Sequence, residues 1–307
     1  MEIVDINEAN AITHAGIFHA DEVFATYILS NVIDNLKLAR VNEVPENFEG
    51  IVYDIGRLND REKKIFDHHQ IEGAGERNGV KYASAGLIWK EYGKQFLIKK
   101  KIKNIERVHS KIDKEIIQNI DGIDNGQKEL FTCFTINEII SKFNPSWDED
   151  INPNDAFKNA LNIIEMIMNK YIEKEKSIER AQNIVKESIQ NSKEGIILLD
   201  KFVPWQTEFF ETPEEITKEI YYVIFPSNRG GYNIQTIPQE LGSFKSKQLF
   251  PENWRGKTKD ELINITKIND ITFIHNAGFI GATDTLESAI KLAHYSMEEN
   301  KKLQDIL

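Results

Sequence analysis

Two apolar residues, Ile65 and Phe66, run without a spacer into Asp67-His68-His69-Gln70. A buried strand ending this way delivers a carboxylate and two imidazoles to a sheet edge, and in open α/β sheets ligands collect outside the carboxyl ends of strands. A solvated turn would account for the triplet alone. Three other segments repeat the pattern. Ala11-Ile12-Thr13-His14 ends an apolar run, and Gly16, Phe18, His19, Ala20, Asp21 and Glu22 follow before a helical pattern begins, giving His-x4-His-x-Asp at a strand-to-helix turn. Ile51-Val52-Tyr53-Asp54-Ile55-Gly56 ends in an aspartate and a glycine, and Ile120-Asp121-Gly122-Ile123-Asp124-Asn125-Gly126 closes a helical stretch with two carboxylates and a terminating glycine. Histidines and aspartates at the ends of four elements point to one clustered site.

Strands alternate with helical segments in the first half, which predicts an α/β fold with a mostly parallel sheet. Over residues 19–36, Val23, Phe24, Tyr27, Ile28, Val32 and Ile33 form a helical stripe. Strands follow at 38–41 and 51–54, a turn at 56–60, and the central strand at 64–69. The Gly-rich stretch 72–79 reads either as a surface connection or as a flap over the site. Ser84 reads as the N-cap of a helix over 85–100, another helix from near Asn104 leads into Asp121 and Asp124, and Thr135-Ile136-Asn137-Glu138 matches a capping box. The pattern breaks over 144–150, so the first domain is expected to span 1–150. Pro153 opens one or two helices expected to connect domains over 151–194, with Glu173-Lys174-Glu175-Lys176 as a solvated face. Residues 195–307 read as a smaller α+β domain, with strands at 195–199, 221–226, 232–237 and 271–275 and helices from Thr258 and near Thr283. Glycine in Ser227-Asn228-Arg229-Gly230-Gly231 predicts a hairpin between the second and third of these strands.

A chain of 307 residues suits two domains, on a prior of roughly 100–200 residues each. Apolar residues at 40% can build real cores, while 28% charged residues and a mean hydropathy of −0.44 describe a soluble chain. No apolar run approaches the roughly 20 residues that cross a bilayer, and the N-terminus lacks a basic-then-apolar leader. The expected location is the cytoplasm. Cys133 is the single cysteine, which removes internal disulfides and thiolate metal sites. Any metal is then held by imidazole and carboxylate, a donor set that favours manganese, magnesium, cobalt or catalytic zinc over structural zinc. A net charge of −11 argues against a general grip on long duplex nucleic acid, because counterion release needs a basic surface. A short anionic ligand held by metals and a local basic patch remains compatible.

If Asp21, Asp54, Asp67 and Asp124 converge, each close carboxylate pair repels by about 1 kcal/mol at 4 Å in water and by about 4 near a protein surface. Cations or bound protons must then be present. Neutral imidazoles of His14, His19 and His68 add ligands without adding charge. The set suits two divalent ions about 3.5–4 Å apart sharing one carboxylate, which is the arrangement for hydrolysing a phosphoester or phosphoanhydride.

The segments His14-Ala-Gly-Ile-Phe-His19-Ala-Asp21-Glu22, Val52-Tyr-Asp54-Ile-Gly56, Phe66-Asp67-His68-His69-Gln70, Tyr82-Ala-Ser84-Ala-Gly86-Leu and Ile120-Asp121-Gly-Ile-Asp124-Asn125-Gly126 together resemble the MYG-type proteins, a branch of the DHH phosphoesterase superfamily. The resemblance continues through Phe250-Pro251-Glu-Asn-Trp254-Arg255-Gly256 and Phe273-Ile-His275-Asn-Ala-Gly278-Phe279, covering essentially the whole chain. It implies a DHH-type N-terminal domain holding paired manganese ions and a C-terminal lobe that positions substrate. Relatives in that superfamily include a 3′-to-5′ RNA exonuclease, nanoRNA and cyclic-dinucleotide phosphodiesterases, and inorganic pyrophosphatases. Position by position, the resemblance implies that His14 and His19 ligate one metal and Asp21 the other, that Asp54 bridges, and that His68 completes the second metal's ligands with Asp124. Asp121 is the alternative to Asp124. His69 would face the substrate phosphate as an electrostatic stabiliser or acid, and Asp67 would orient its neighbours rather than touch a metal. One departure stands out: much of the superfamily has an aspartate where this chain has His19, so the site is less anionic.

In the C-terminal part, Arg229, Gly230 and Gly231 could offer a guanidinium and backbone N–H groups to a phosphate, with further contacts from His275 and Asn276; a hairpin turn and a packing histidine explain the same residues. Trp205 and Trp254 could stack bases or sit in a core. The expected function is a metal-dependent phosphoesterase, a 3′-5′ exonuclease on short single-stranded RNA or related nucleotides. The alternatives are a phosphoanhydride or cyclic-dinucleotide hydrolase and a non-catalytic metal- or nucleotide-binding regulator. Long duplex DNA and membranes are not expected partners. Oligomeric state stays open, a homodimer included.

Overall fold

Short apolar strands build two sheets in the computed structural model, which describes residues 1–127, 135–243 and 245–304. Cys133 lies outside the described residues. The chain divides into two units, Met1–Lys176 and Ser177–Leu307.

In the first unit, β1 (Glu2–Ile3), β2 (Ala11–His14), α1 (Ala20–Val32), β3 (Lys37–Val41), β4 (Ile51–Tyr53), β5 (Asn59–Asp60) and β6 (Ile65–Phe66) precede a hairpin of β7 (Glu76–Arg77) and β8 (Val80–Lys81). The helices α2 (Ser84–Lys99), α3 (Ile105–Ile112), α4 (Gln118–Asp124) and α5 (Ile136–Ser141) follow, with a π-helical turn over Asp113–Ile117 between α3 and α4. The six-stranded sheet has the order β1-β3-β2-β4-β6-β5. All its pairings are parallel except β5 with β6. The connection leaving β2 runs through α1 to β3 on one side, and the one leaving β4 runs to β5 and β6 on the other, which makes the ends of β2 and β4 a topological switch point.

Alternation along the strands separates the two faces. Ala11, Leu38, Ile51, Tyr53 and Phe66 join the large core under α1 to α4. Ile12, Ala39 and Val52 point the other way into a small cluster with Ile6, Val44, Phe48 and Ile55. The expected α/β character is present, with mixed sheets.

Three local expectations need correction. The 64–69 stretch is not a central strand: β6 holds two residues beside the sheet edge, because the Asp67 carboxylate accepts the following His68 and His69 N–H groups and turns the chain out of the ladder. Ser84 does not cap α2. Ala83 occupies that position, and the buried Ser84 hydroxyl donates instead to Asp54 Oδ1 at 3.2 Å. The 72–79 loop contains β7 and leads into β8 at Val80, turned by Asn78 and Gly79 at φ 54° and 77°, the pair of left-handed residues that a two-residue hairpin turn requires. The Thr135 capping box forms as expected: Glu138 Oε2 accepts the Thr135 N–H at 2.8 Å and Thr135 Oγ1 accepts the Glu138 N–H at 3.3 Å.

The helix α6 (Pro153–Gln190) is continuous over 38 residues. Phe157, Ala160, Ile164 and Met168 enter the core of the first unit, while Ala181, Val185 and Ile189 enter a core of the second. Its charged middle is not simply solvated. Glu175 is 1% exposed and accepts from Arg107 Nη1 at 2.9 Å and Lys111 Nζ at 2.7 Å.

The second unit continues with β9 (Ile196–Leu198), α7 (Gln206–Glu211), α8 (Glu214–Thr217), β10 (Tyr222–Pro226), β11 (Tyr232–Thr236), α9 (Lys259–Thr266), β12 (Ile271–Ile274), β13 (Ile280–Thr283) and α10 (Leu286–Gln304). Its sheet has the order β12-β13-β11-β10-β9, antiparallel except between β10 and β9. Tyr222 and Ile224 face a core with Trp254 and Leu262, whereas Val223 and Phe225 face one with Trp205 and Phe209. Both tryptophans are thus buried core residues. Among the described residues, no helix is long and apolar enough to cross a membrane.

Candidate metal centre

The parallel register Ala11↔Ile51 and Ile12↔Val52, carried two residues further, sets His14 at the end of β2 beside Asp54 just past β4. His14 Nε2 lies 3.1 Å from Asp54 Oδ2 and 3.0 Å from Glu22 Oε1. The other ring nitrogen, Nδ1, is 3.0 Å from the Ala15 carbonyl, to which it can donate, leaving Nε2 for the carboxylates. On the far side of Asp54, Oδ1 lies 3.5 Å from His68 Nε2, which is itself 3.1 Å from Asp124 Oδ2. Asp54 therefore turns one oxygen to His14 and the other to His68. Its backbone is left-handed at φ 54°, and its N–H donates to the Phe66 carbonyl at 3.2 Å, so the sheet itself fixes the bend.

The first turn of α1 supplies the third wall. His19 sits at its N-cap, and Asp21 and Glu22 follow with no exposed surface. Both Asp21 oxygens are buried without a hydrogen-bond partner. An ionised carboxylate so placed is several kcal/mol uphill unless a cation or proton joins it, by an order-of-magnitude estimate. Burial first, and then Asp54 and Asp124, push the Asp21 carboxyl well above its ordinary range. Burial opposes charge on His14 and His68, but Asp54 with Glu22, and Asp124 with Asp54, outweigh it and raise each imidazole to about 10. Burial also disfavours the Asp54 anion, yet His14 and His68 hold that carboxyl well below the usual range.

These residues fit divalent cations. Ligand atoms of His14, His19 and Glu22 lie within 4.8 Å of one another, and the same holds for His19, Asp21 and Asp124, and for Asp21, Glu22 and Asp54. Orphaned oxygens, neutralisable imidazoles and the absence of thiolate donors in this set match hard divalent ions. The donor atoms leave the identity of the metal open.

Asp67 behaves differently. Oδ2 accepts the Arg57 N–H at 2.6 Å, and Oδ1 accepts from His68 N–H at 2.7 Å and meets His69 Nδ1 at 2.7 Å. It is hydrogen-bonded to its neighbours and orients the imidazole of His69, and it also groups with Asp54, His68 and His69, whose ligand atoms lie within 4.8 Å of one another. That hydrogen bond raises the His69 pKa. His69 is 53% exposed and lines a cavity of about 820 Å³ together with His14, His19, Asp54, Asp124, Arg57 and Asn137. His68 instead lines a smaller cavity of about 290 Å³ with Gln70, Glu76, Lys81, Tyr82 and Asn125, bordered by the 71–75 loop.

Asp121 stands away from this group. Its carboxylate receives Arg77 Nη1 at 2.7 Å and the Gly86 N–H at 2.9 Å, and burial pushes it up to about 7 against the pull of Arg77. A Cβ on Gly86 would lie 1.9 Å from Asp121 Oδ2, so the close approach of α2 to α4 requires glycine there. Asp124, one turn later, is the residue that meets His68.

The residues singled out in the second unit fall into two groups. Arg229, Gly230 and Gly231 form the exposed β10–β11 turn, next to the end of β13, where a Cβ on Gly231 would lie 2.3 Å from the Thr283 carbonyl. His275 and Asn276 lie in the β12–β13 connection, where His275 Nδ1 accepts the Ala277 N–H at 3.1 Å. The register Tyr232↔Thr283 and Gln235↔Ile280 puts these groups at opposite ends of the sheet, so one phosphate cannot contact both. Sequence reading left Glu22 without a role, although His19-x-x-Glu22 has the spacing of an N-cap and its third helical residue.

The family model MYG1_exonuc, described as an uncharacterised protein family (UPF0160), matches residues 10–297. The chain is 29% identical to the MYG1 protein of Dictyostelium discoideum over 97% of its own length and 99% of that protein's. It is 30% identical to a MYG1 protein of Saccharomyces cerevisiae, over 93% of this chain and 94% of the relative. The MYG1 exonuclease of Homo sapiens is 25% identical, over 96% and 87% respectively. No solved structure matches the chain.

Proposed function

The chain belongs to the MYG1 exonuclease family, UPF0160, and on that premise we propose that it is a metal-dependent phosphodiesterase, a 3′-to-5′ exonuclease on short single-stranded RNA or related nucleotides. The observation that carries this reading is Asp54, whose two oxygens face His14 and His68 on opposite sides. That is where a carboxylate shared by two ions has to be. We assign His14, His19 and Asp54 to one ion, and Asp21, Asp54, His68 and Asp124 to the other, with manganese as the first candidate and magnesium, cobalt or zinc as alternatives. When bound, such a pair supplies a Lewis acid and a water nucleophile available near neutral pH.

The chain's own residues do the rest. Asp67 fixes the His69 ring and favours its protonated form, which suits His69 to meet a non-bridging phosphate oxygen or to protonate the leaving oxygen. Arg57 lines the same cavity and offers a second cation to the phosphate. Membership of the DHH superfamily, the polarity and the RNA preference rest on the motif resemblance, and nuclease activity on the names of relatives such as the human MYG1 exonuclease. The cavity volume of about 820 Å³ is that of a small-ligand site, which keeps a cyclic dinucleotide or pyrophosphate as a second reading.

The test is hydrolysis of 5-mer and 24-mer RNA labelled at either end, with a cyclic dinucleotide and pyrophosphate alongside, in manganese. Mononucleotides released first from the 3′ end, and lost in Asp54→Asn, support the exonuclease. Cleavage of only the cyclic dinucleotide or pyrophosphate selects the second reading. Binding without turnover of any substrate, with ions loaded, contradicts both.

A further inference from the structure

We propose that Glu22 is itself a metal ligand, supplying a carboxylate beside the imidazoles of His14 and His19. The inference rests on the metal-dependent reading above and adds to it a residue outside the ligand set implied by the motif resemblance.

Glu22 has no exposed surface. One of its oxygens, Oε2, accepts the His19 N–H at 2.9 Å and closes the first turn of α1. A helix cap explains that oxygen and no more. The other, Oε1, is buried and faces the His14 imidazole. It lies 3.0 Å from His14 Nε2, the same nitrogen that stands 3.1 Å from Asp54 Oδ2. Oδ2 just past β4 and Oε1 on α1 thus both approach Nε2 at the end of β2. Asp21 gives an independent sign that the pocket takes cations, since neither of its buried oxygens has a partner. Glu22 also groups with both halves of the site, with His14 and His19 on one side and with Asp21 and Asp54 on the other.

Charge points the same way. Two divalent ions carry four positive charges, whereas Asp21, Asp54 and Asp124 carry three negative ones and the imidazoles none. Glu22 supplies the fourth. Glu22 stands in the first turn of α1, where its side chain caps the helix through one oxygen and leaves the other free to reach an ion.

The two roles separate in Glu22→Gln, which keeps an oxygen for the His19 N–H and nearly the same volume but loses the anionic donor. Glu22→Asp keeps the charge with a shorter reach. Full-length wild type, Glu22→Gln and Glu22→Asp are stripped with EDTA and titrated with Mn2+ alone, following calorimetric stoichiometry, the electron paramagnetic resonance of the bound ions and the Mn2+-induced rise in melting temperature. The expected result is two spin-coupled ions in wild type, one uncoupled ion or at least a 100-fold weaker second ion in Glu22→Gln, and an intermediate loss in Glu22→Asp. Two coupled ions at wild-type affinity in Glu22→Gln would overturn the inference and leave the metal-dependent reading standing, with Glu22 as a cap only. Should Glu22→Gln not fold, wild-type affinity in Glu22→Asp overturns it instead. No Mn2+ bound by wild type would remove both.

Discussion

Asp54 holds a left-handed backbone at φ 54°, a region that Asp and Asn tolerate better than most residues. Asp54→Asn therefore leaves the fold in place while removing the charge between His14 and His68. It should lose Mn2+ binding together with activity. His69→Ala should behave differently, keeping the ions while kcat falls on the order of 10²–10³-fold, the usual effect of losing one group that stabilises developing charge; calorimetry and initial rates separate the two. The same site sets a pH dependence. His14 and His68 are raised from 6.5 to about 10 in the ion-free chain. A raised imidazole stabilises the fold fully below about 6.5, and that contribution is lost as pH rises through about 10. Ions must displace both protons, so Mn2+ affinity should rise with pH by up to about two tenfold steps per unit below 10. Melting with and without Mn2+ should diverge as pH goes from 6 to 8, and a constant gap would contradict this assignment. Most of these side chains were singled out in sequence because histidine or aspartate recurs at the ends of four separate segments. Glu22 was not, because a cap explains it locally.

At the scale of elements, the alternation of strands and helices made the α/β character and the mostly parallel first sheet legible. What it could not give was the length of β6, which the Asp67 carboxylate cuts short. The β7–β8 hairpin was also missed although Asn78-Gly79 signals such a turn, because Glu76-Arg77 and Val80-Lys81 carry no apolar alternation. Arg77 ties this hairpin to Asp113 through Nε at 2.9 Å and to Asp121 through Nη1 at 2.7 Å. Arg77→Met leaves Asp121 buried without its cation, a change of about 3–5 kcal/mol for a broken buried pair. Asp121 already titrates near 7, above its ordinary 3.8. Its contribution to stability is thus complete below about 3.8 and lost as pH rises through about 7, and without Arg77 the loss runs on to higher pH. Denaturant unfolding should show a larger deficit for Arg77→Met at pH 8 than at pH 5. An equal deficit at both would mean that the carboxyl is charged throughout. The 173–176 stretch misled for a related reason: composition shows Glu175 as one charge among several, while only packing shows that Arg107 and Lys111 reach it in a buried position.

For the molecule as a whole, the proposed reading makes cations part of the folded state, because the net charge is −11 and Asp21, Glu22, Asp54 and Asp124 gather at one switch point. Family membership was legible because its motifs sit at the ends of strands and helices across most of the chain. The placement of Arg229 and His275 at opposite ends of the second sheet was not, because strand order and register are long-range properties that no local pattern encodes. The most direct measurement is the number of Mn2+ ions bound per EDTA-stripped chain, with the accompanying change in melting temperature, in wild type and Asp54→Asn. The expected result is two ions in wild type with stabilisation of about 2.7 kcal/mol per site at 100 times its Kd, and neither ion nor shift in Asp54→Asn. A wild-type chain that binds no ion and melts at the same temperature with and without EDTA would contradict the account.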